Sequence, residues 1–584
     1  MTRDRLWPAI LSGWVVAALV LTLVSLPQIV HLWFSDPDDP MRLLEVRDWL
    51  AGQSWWDVSQ HRLWGGAFAM HWSRLVDLPL AASMALLDPM IGPAASTRVA
   101  LVLVPLLTLL AVMALAATLT RRLAGIEPAR LAVLVAPLSV PLLFQLRPMR
   151  IDHHGWQIAL ALAAMAALLA RPSARSGAAI GAALATLLTI SLEGLPITAV
   201  ILGVMLLAWV ADPTRRPQAL AALWSMLGTV VLLHLATRGP GFWAPACDAI
   251  APNWIAALGV AVLGASATLL LPTPSRILRL ALLALAGAAT LATLIVIAPL
   301  CLKGPFGTLD PIVYQLWYRN VLEGMPVWEQ RLPMAVMTIA FPTSGLVGGV
   351  LAWRASQGEK RVLWTMMLAV ALLAFGLSLL VVRTGGTANA LAVPGGAWLL
   401  HALLTRARAV ESPLKRVGAT ALALVAASPG LVASVPFLAH PRPAAVKERE
   451  AAAGARRAWC QNDNREAGDL AHIPAATLFT PLEMTPALLA TSRHRAIASG
   501  YHRNDLAIRR VLVTFTGAPE QAHRLVRESR ADYVAGCPGG NETELYKRVA
   551  PNGFWARLER GERFDWLEPV PLQDSPMLVW RVTR

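Results

Sequence analysis

Three short acidic motifs carry the residues best suited to chemistry. Asp36-Pro37-Asp38-Asp39-Pro40-Met41-Arg42 follows the first long apolar stretch, and Arg150-Ile151-Asp152-His153-His154 fills a short gap between two later ones. Asn320-Val321-Leu322-Glu323 lies in a longer polar segment. Carboxylates beside apolar spans are costly unless a cation neutralises them, so they mark a site. Hard divalent cations such as Mg²⁺ or Mn²⁺ take oxygen ligands, which makes Asp36, Asp152 and Glu323 candidate metal ligands. His153 and His154 stand beside Asp152 as further ligands or as groups that orient them. Asp38 and Asp39 extend the first motif, while Arg42 and Arg150 supply positive charge. Glu193, in Ser191-Leu192-Glu193-Gly194-Leu195-Pro196, is a fourth acid in an apolar setting, and Arg383 ends a span where it can neutralise a phosphate. Each has a plainer reading: a solvated Pro-broken loop for 36–42, a helix N-cap for Asp152, a capped turn for Glu193, a snorkelling side chain for Arg383. A carboxylate near a divalent ion can deprotonate a nucleophile. Together the motifs suggest a metal-dependent enzyme working on a lipid-linked substrate.

The elements that must hold these residues are membrane spans. Of 584 residues, 56% are hydrophobic and only 15% charged, with mean hydropathy +0.53; soluble domains carry about a quarter charged residues. The net charge of +15 belongs to arginine clusters flanking apolar stretches, and no basic stripe with interleaved aromatics points to nucleic acid. At about 20 apolar residues per crossing, spans are expected at 9–33, 98–119, 129–147, 154–170, 176–192, 194–211, 218–236, 254–271, 279–300, 333–353, 362–382, 388–405 and 417–437. The apolar stretch 76–92, interrupted by Asp77, Pro79, Asp88 and Pro89, reads as part of a structured external loop, 34–97. With that choice Arg121-Arg122, Arg215-Arg216 and the basic stretches 171–175, 276–279, 354–361 and 406–416 all fall on one side with Arg3 and Arg5, which is then cytoplasmic. The acidic motifs land on the opposite face, with loop 301–332. The first segment reads as a retained anchor rather than a signal peptide.

After about residue 438 the chain turns polar, and segments 476–479, 511–515, 533–535 and 577–580 look like short strands. A helical pattern over Pro519 to Arg530 makes this a small α/β domain. The division expected is 1–437 for the membrane domain and 438–584 for an extracytoplasmic one. Cys247, Cys301, Cys460 and Cys537 all fall on the side where disulfides form; Cys247–Cys301 and Cys460–Cys537 is the attractive pairing, with free buried thiols as the alternative.

The motifs, their order and their sidedness resemble the catalytic subunits of oligosaccharyltransferases, membrane glycosyltransferases of the GT-C fold with polyprenyl-linked donors. Asp36-Pro37 through Arg42 matches that family's Asp-Pro-x-x-x-x-Arg pattern after the first span. Asp152-His153-His154 matches its second motif, opening the fourth span, and Asn320 to Glu323, with Pro326 after it, looks like a degenerate form of its mobile-loop motif. The resemblance implies a polytopic helical protein of about thirteen spans with a small extracytoplasmic α/β domain. It implies transfer of a sugar or oligosaccharide from a polyprenyl (pyro)phosphate donor, at the outer face of a bacterial inner membrane. A Mn²⁺ or Mg²⁺ cofactor would be held by Asp36, Asp152, His153, His154 and Glu323. Asp36 and Glu323 would be catalytic, and Arg42, Arg150 and Arg383 would meet the donor phosphate. The Trp-Trp-Asp motif with which the family reads its acceptor does not occur after residue 438; Trp55-Trp56-Asp57 has the letters in the wrong loop. The acceptor is therefore open among protein, lipid and glycan. One alternative is transfer of a single sugar from a polyprenyl monophosphate to lipid A or an envelope polysaccharide. Others are a polymer ligase and a lipid or glycan transporter or flippase, the last of which predicts ionisable groups at mid-membrane.

Overall fold

The computed structural model describes residues 6–428 apart from 66, 67, 273 and 274, then 430, 460, and 463–583 apart from 574. Backbone polar groups in lipid must pair within their own segment, so the apolar runs fold as helices. Among the described residues, eight are long and apolar enough to cross a membrane: Leu6–Val24, Pro93–Ala124, Leu192–Ala211, Pro213–Gly241, Pro252–Leu270, Arg276–Ile297, Leu332–Ala355 and Gly358–Leu380. His154–Leu168 and Ala174–Ile190 are shorter apolar helices. Gly385–Arg408 lies at the centre of the bundle, buried along most of its length. Small residues make that possible: a Cβ on Gly395 would run into the carbonyl oxygen of Gly345 in Leu332–Ala355, so the two backbones touch, as small-residue interfaces allow.

Two expected spans take a different form. The stretch 129–147 is broken into Ile126–Val135, a 3-10 turn at Ala136–Leu138 and Val140–Phe144. Pro137 and Pro141 remove backbone donors there, and Ser139 turns extended and hydrogen-bonds Asn389 of the central helix at 2.8 Å. The last expected span, 417–437, is helical over Pro413–Ala427; most of its remainder, and the expected boundary at 437/438, lie outside the described residues. The stretch 76–92 forms a helix, Arg74–Ile91, started by Ser73, whose hydroxyl accepts from Leu75 N–H.

The polar region after Cys460 carries a five-stranded sheet. With β1 (Ser59–Gln60) and β2 (Phe68–Ala69) forming a hairpin in the first loop, the sheet holds β3 (Thr477–Phe479), β4 (Arg495–Ala496), β5 (Tyr533–Gly536), β6 (Leu567–Pro569) and β7 (Leu578–Val582), in the order β4-β3-β5-β7-β6. β3 runs parallel to β4 and β5, while β7 is antiparallel to β5 and β6. The segment expected as a strand at 511–515 is instead inside a helix, Asp505–Thr516, whose buried Ala507, Ile508, Val511, Leu512 and Phe515 recur at helical spacing.

The first loop is built into this sheet. Leu63 forms a parallel bridge with Ala496, Trp64 N–H donates to Ala496 O, and Ala496 N–H donates to Arg62 O, both at 3.0 Å. Met41, Leu44, Leu63, Met70 and Trp72 share one core with Leu478, Leu488 and Tyr501. Loop 301–332 docks in the same way, with Val313 and Trp317 packed among Phe479, Ile508 and Phe515. Full burial of one such side chain contributes about 1.5–3 kcal/mol, so both loops are seated on the domain. Cys247 is bonded to Cys301 and Cys460 to Cys537.

Candidate active site

The first two acidic motifs sit at ends of apolar helices, and the third reaches them from loop 301–332. Asp36 follows the first helix pair, and its Oδ1 accepts Asp38 N–H at 3.0 Å to start the helix Asp38–Leu50. Asp152 precedes His154–Leu168. Glu193 lies in the 3-10 turn Leu192–Gly194, Arg383 in Val382–Thr384 and Glu323 in Leu322–Gly324. Val382 N–H donates to Met325 O, which ties loop 301–332 to the Arg383 turn.

These side chains form one continuous network. Arg150 Nη1 lies 2.9 Å from Asp36 Oδ2 and 2.8 Å from Asp39 Oδ2. Asp39 Oδ1 accepts the N–H groups of Ile151 and Asp152 at 2.8 and 3.1 Å. Asp152 Oδ1 meets His153 Nδ1 at 2.6 Å and Arg42 Nη2 at 3.4 Å, and its Oδ2 is 3.3 Å from His154 Nε2. His153 and His154 approach Glu193 Oε2 at 3.4 and 3.8 Å. Glu193 Oε1 is 2.5 Å from Arg383 Nη1, and Arg383 Nη2 is 3.0 Å from Glu323 Oε1. Residues some 290 positions apart in the chain thus close on one centre.

Charge balance explains how so many acids coexist. Asp39 and Arg42 are fully buried. Burial pushes the Asp39 carboxyl up to about 7, against the pull of Arg150. Asp38 goes well above the ordinary carboxylate range because of burial and the charges of Asp36, Asp152 and Glu323. Burial also opposes ionisation of Asp152, but His153 and His154 outweigh it and hold that carboxyl well below its ordinary value. His153 is correspondingly raised to about 10, burial being overcome by Asp152 and Glu193. Asp152, His153 and His154 each offer an atom within 4.8 Å of the others, a spacing that suits a cation. Asp152 Oδ2 is buried without a hydrogen-bond partner, as are Arg150 Nε and Arg383 Nε. A carboxylate lone pair and two N–H groups of the network are therefore unpaired, groups of the kind a divalent cation and a phosphate take.

Sequence reasoning missed several partners. Asp77 binds Arg42 Nη1 at 2.8 Å and Arg74 Nη1 at 3.3 Å; the Arg74-x-x-Asp77 spacing on one helical face was the available signal. Arg42 also lies over the Trp72 ring at 4.5 Å. Tyr501, from the sheet domain, enters beside the first motif, its hydroxyl 3.4 Å from Pro37 O; nothing in the sequence links those positions. Trp55-Trp56-Asp57 anchors the first loop, with Trp55 Nε1 donating to Ala236 O at 2.7 Å.

No protein-family model matches the sequence, and no curated protein is significantly similar to it. Solved structures do share its fold. The archaeal oligosaccharyltransferase AglB from Archaeoglobus fulgidus, in complex with an inhibitory peptide and a dolichol-phosphate, superposes with a TM-score of 0.63 at 15% identity, covering 90% of this chain and 69% of that one. The fold is oligosaccharyltransferase-like. The same organism's oligosaccharyltransferase tethered to an acceptor peptide with the NVT sequon gives 0.58 at 14% identity, over 98% of this chain and 74% of that one. Its complex with Zn and sulfate gives 0.55 at 14% identity, over 90% and 67%. The chain is thus a polytopic helical membrane protein of GT-C architecture carrying a small sheet domain near its C-terminal end.

Proposed function

We propose that this protein is a metal-dependent membrane glycosyltransferase that moves a sugar or oligosaccharide from a polyprenyl (pyro)phosphate to an acceptor. The observation that carries this reading is the single network joining Asp36, Asp152 and Glu323 through Arg150, His153, Glu193 and Arg383. The fold similarity to AglB, one of whose structures holds a dolichol-phosphate, supports a polyprenyl-linked donor; a Zn and sulfate complex of that oligosaccharyltransferase supports a metal and an anion in such a fold. Asp152, His153 and His154 would hold Mn²⁺ or Mg²⁺, with Asp36 and Glu323 adjoining. A divalent ion there supplies neutralisation of phosphate charge.

Arg383 and Arg150, each with a free Nε–H, receive the departing phosphate, and Arg42 keeps Asp152 in place. The acceptor heteroatom attacks the anomeric carbon with its lone pair while the carbon–oxygen bond to phosphate breaks. Its proton passes to Asp36. One displacement inverts the anomeric centre. The acids of the network lie at helix ends or in loop turns rather than within a span, which favours an enzyme over a transporter with ionisable groups at mid-membrane. The arginine-rich loops and the two disulfides support placing the network and sheet domain in the periplasm, with the N-terminus cytoplasmic, in a bacterial inner membrane. Asn320 in the mobile-loop motif and the missing Trp-Trp-Asp favour an acceptor other than a sequon, lipid A or an envelope polysaccharide included.

The test is incubation of membranes containing the protein with radiolabelled lipid-linked sugars, with Mn²⁺ or with EDTA, followed by separation of protein, lipid and glycan. Label should move to one fraction with Mn²⁺ and stay on the donor with EDTA. Transfer unaffected by EDTA removes the metal, and no transfer from any donor removes the reading.

A further inference from the structure

A second cluster of ligating side chains lies outside the acid network, where three parts of the chain meet. His71 comes from the first loop, Asp248 from the loop after Pro213–Gly241, and His502 from the sheet domain. Each offers one ligand atom within 4.8 Å of the others. The two imidazole rings are 4.8 Å apart, and Phe306 of loop 301–332 sets its edge against His502 at 5.0 Å. Asp248 Oδ2 is 2.7 Å from His502 Nε2, and Arg503 grips both carboxylate oxygens at 2.7 Å. Cys247, next to Asp248, is bonded to Cys301, so the cluster's middle residue is anchored beside a disulfide. His71 Nδ1 is buried and has no hydrogen-bond partner, a state that costs about 1–3 kcal/mol.

We propose that His71, Asp248 and His502 form a zinc site that staples the first loop and the 237–253 loop to the sheet domain. Two imidazoles and one carboxylate are a zinc donor set with one position left for water. The ion takes the place of the proton shared by His502 and Asp248, which is released to solvent, and it gives the His71 imidazole a partner. Arg503 acts behind the ligands, orienting the carboxylate as hydrogen-bonded partners of metal ligands do. The second guanidinium nearby, Arg238, donates to His71 O at 3.4 Å. Their charges weaken cation binding, so the site selects an ion that favours imidazole over Mg²⁺ or Ca²⁺.

The full chain, purified in detergent and stripped with a chelator, is dialysed against zinc chloride and its zinc counted by mass spectrometry. Wild type should hold one equivalent more than H71Q or H502Q. Equal zinc in all three overturns the site. A measurement on unaltered protein guards against variants that misfold. Diethyl pyrocarbonate labels accessible imidazoles, and zinc should lower labelling of His71 and His502 by at least about fivefold. Unchanged labelling overturns the proposal. D152N, which alters only the acid network, should keep that protection; its loss there would show that zinc at the acid network, not a separate site, shields these histidines, and would overturn it too.

Discussion

Arg42 is the sharpest place to test whether the acid network is built on buried charge pairing. Its guanidinium is fully buried, 2.8 Å from Asp77 and 3.4 Å from Asp152, and lies over Trp72. Replacing it with methionine keeps most of the volume and removes the charge, leaving two carboxylates buried with one counter-ion fewer. Loss of one member of a buried pair costs about 3–5 kcal/mol. Asp77 retains Arg74 at 3.3 Å and Asp152 retains His153 at 2.6 Å, so about 3 kcal/mol, the lower end, is expected. Arg42→Met/Asp77→Leu removes both charges of the closer pair, and an apolar replacement of a whole pair is often neutral. The double variant should therefore recover a substantial part of the loss, a non-additivity that only directly coupled residues show. Thermal midpoints from size-exclusion profiles of detergent-solubilised protein rank wild type, both single variants and the double. If Arg42→Met melts with wild type, or the double variant falls by the sum of the singles, the pairing argument fails.

Asp152→Asn should abolish Mn²⁺ binding, read by electron paramagnetic resonance, while the protein stays monodisperse, because it removes the buried lone pair at Oδ2. Arg383→Gln should leave Glu193 and Glu323 without their shared cation and lower sugar transfer by about tenfold or more, with binding of a polyprenyl phosphate in detergent weakened in parallel. Reduction of Cys460–Cys537, which spans 77 positions, should lower the melting of the sheet domain by an amount equivalent to about 2–4 kcal/mol, checked against Cys460→Ser. His502 and Arg503 hold the Asp248 carboxyl far below its ordinary value against burial, which opposes them. A depressed carboxylate stabilises above its unfolded value of about 3.9 and loses that contribution as pH falls below it. The melting gap between wild type and Asp248→Asn, measured from pH 7 downward without added metal, should therefore stay constant to about pH 5 and then narrow.

The three acidic motifs are legible because charge is conspicuous in an apolar chain, and the arginine loops suggest which helix ends share a face. Asp36, Asp152 and Glu323 are expected near one another on that ground, and the structure joins them through Arg150, His153, Glu193 and Arg383. The broken helix at 126–144 had its signal in Pro137 and Pro141, outweighed by the hydropathy around them. The helix at 505–516 reads as a strand over 511–515 because Val511, Leu512, Val513 and Phe515 have strand character one by one. Only Ala507 and Ile508, one turn earlier, reveal the 3.6-residue period that buries them together. Tyr501 against Pro37 and His502 against Asp248 had no local signal, since contacts across hundreds of residues are set by how the sheet domain seats on the loops.

That seating has a mechanistic consequence. The first loop carries Asp36, Asp38 and Asp39, yet its own hairpin is two residues a side, too short for independent stability. Its geometry comes from outside: Arg62 donates to Leu489 O and Ser492 O at 2.6 and 2.9 Å, Arg47 to Ala490 O at 2.8 Å, and Arg503 to Ala69 O at 3.0 Å. All four are arginine-to-carbonyl bonds across the boundary, three from the loop and one from the domain. A metal ligand displaced by even an ångström loses its bond. The sheet domain therefore acts as the template that holds the acids in register with Asp152, and Arg62→Ala, far from the reacting atoms, should weaken Mn²⁺ binding while leaving the helical bundle folded. Mn²⁺ affinity unchanged in that variant would mean the first loop holds its shape alone.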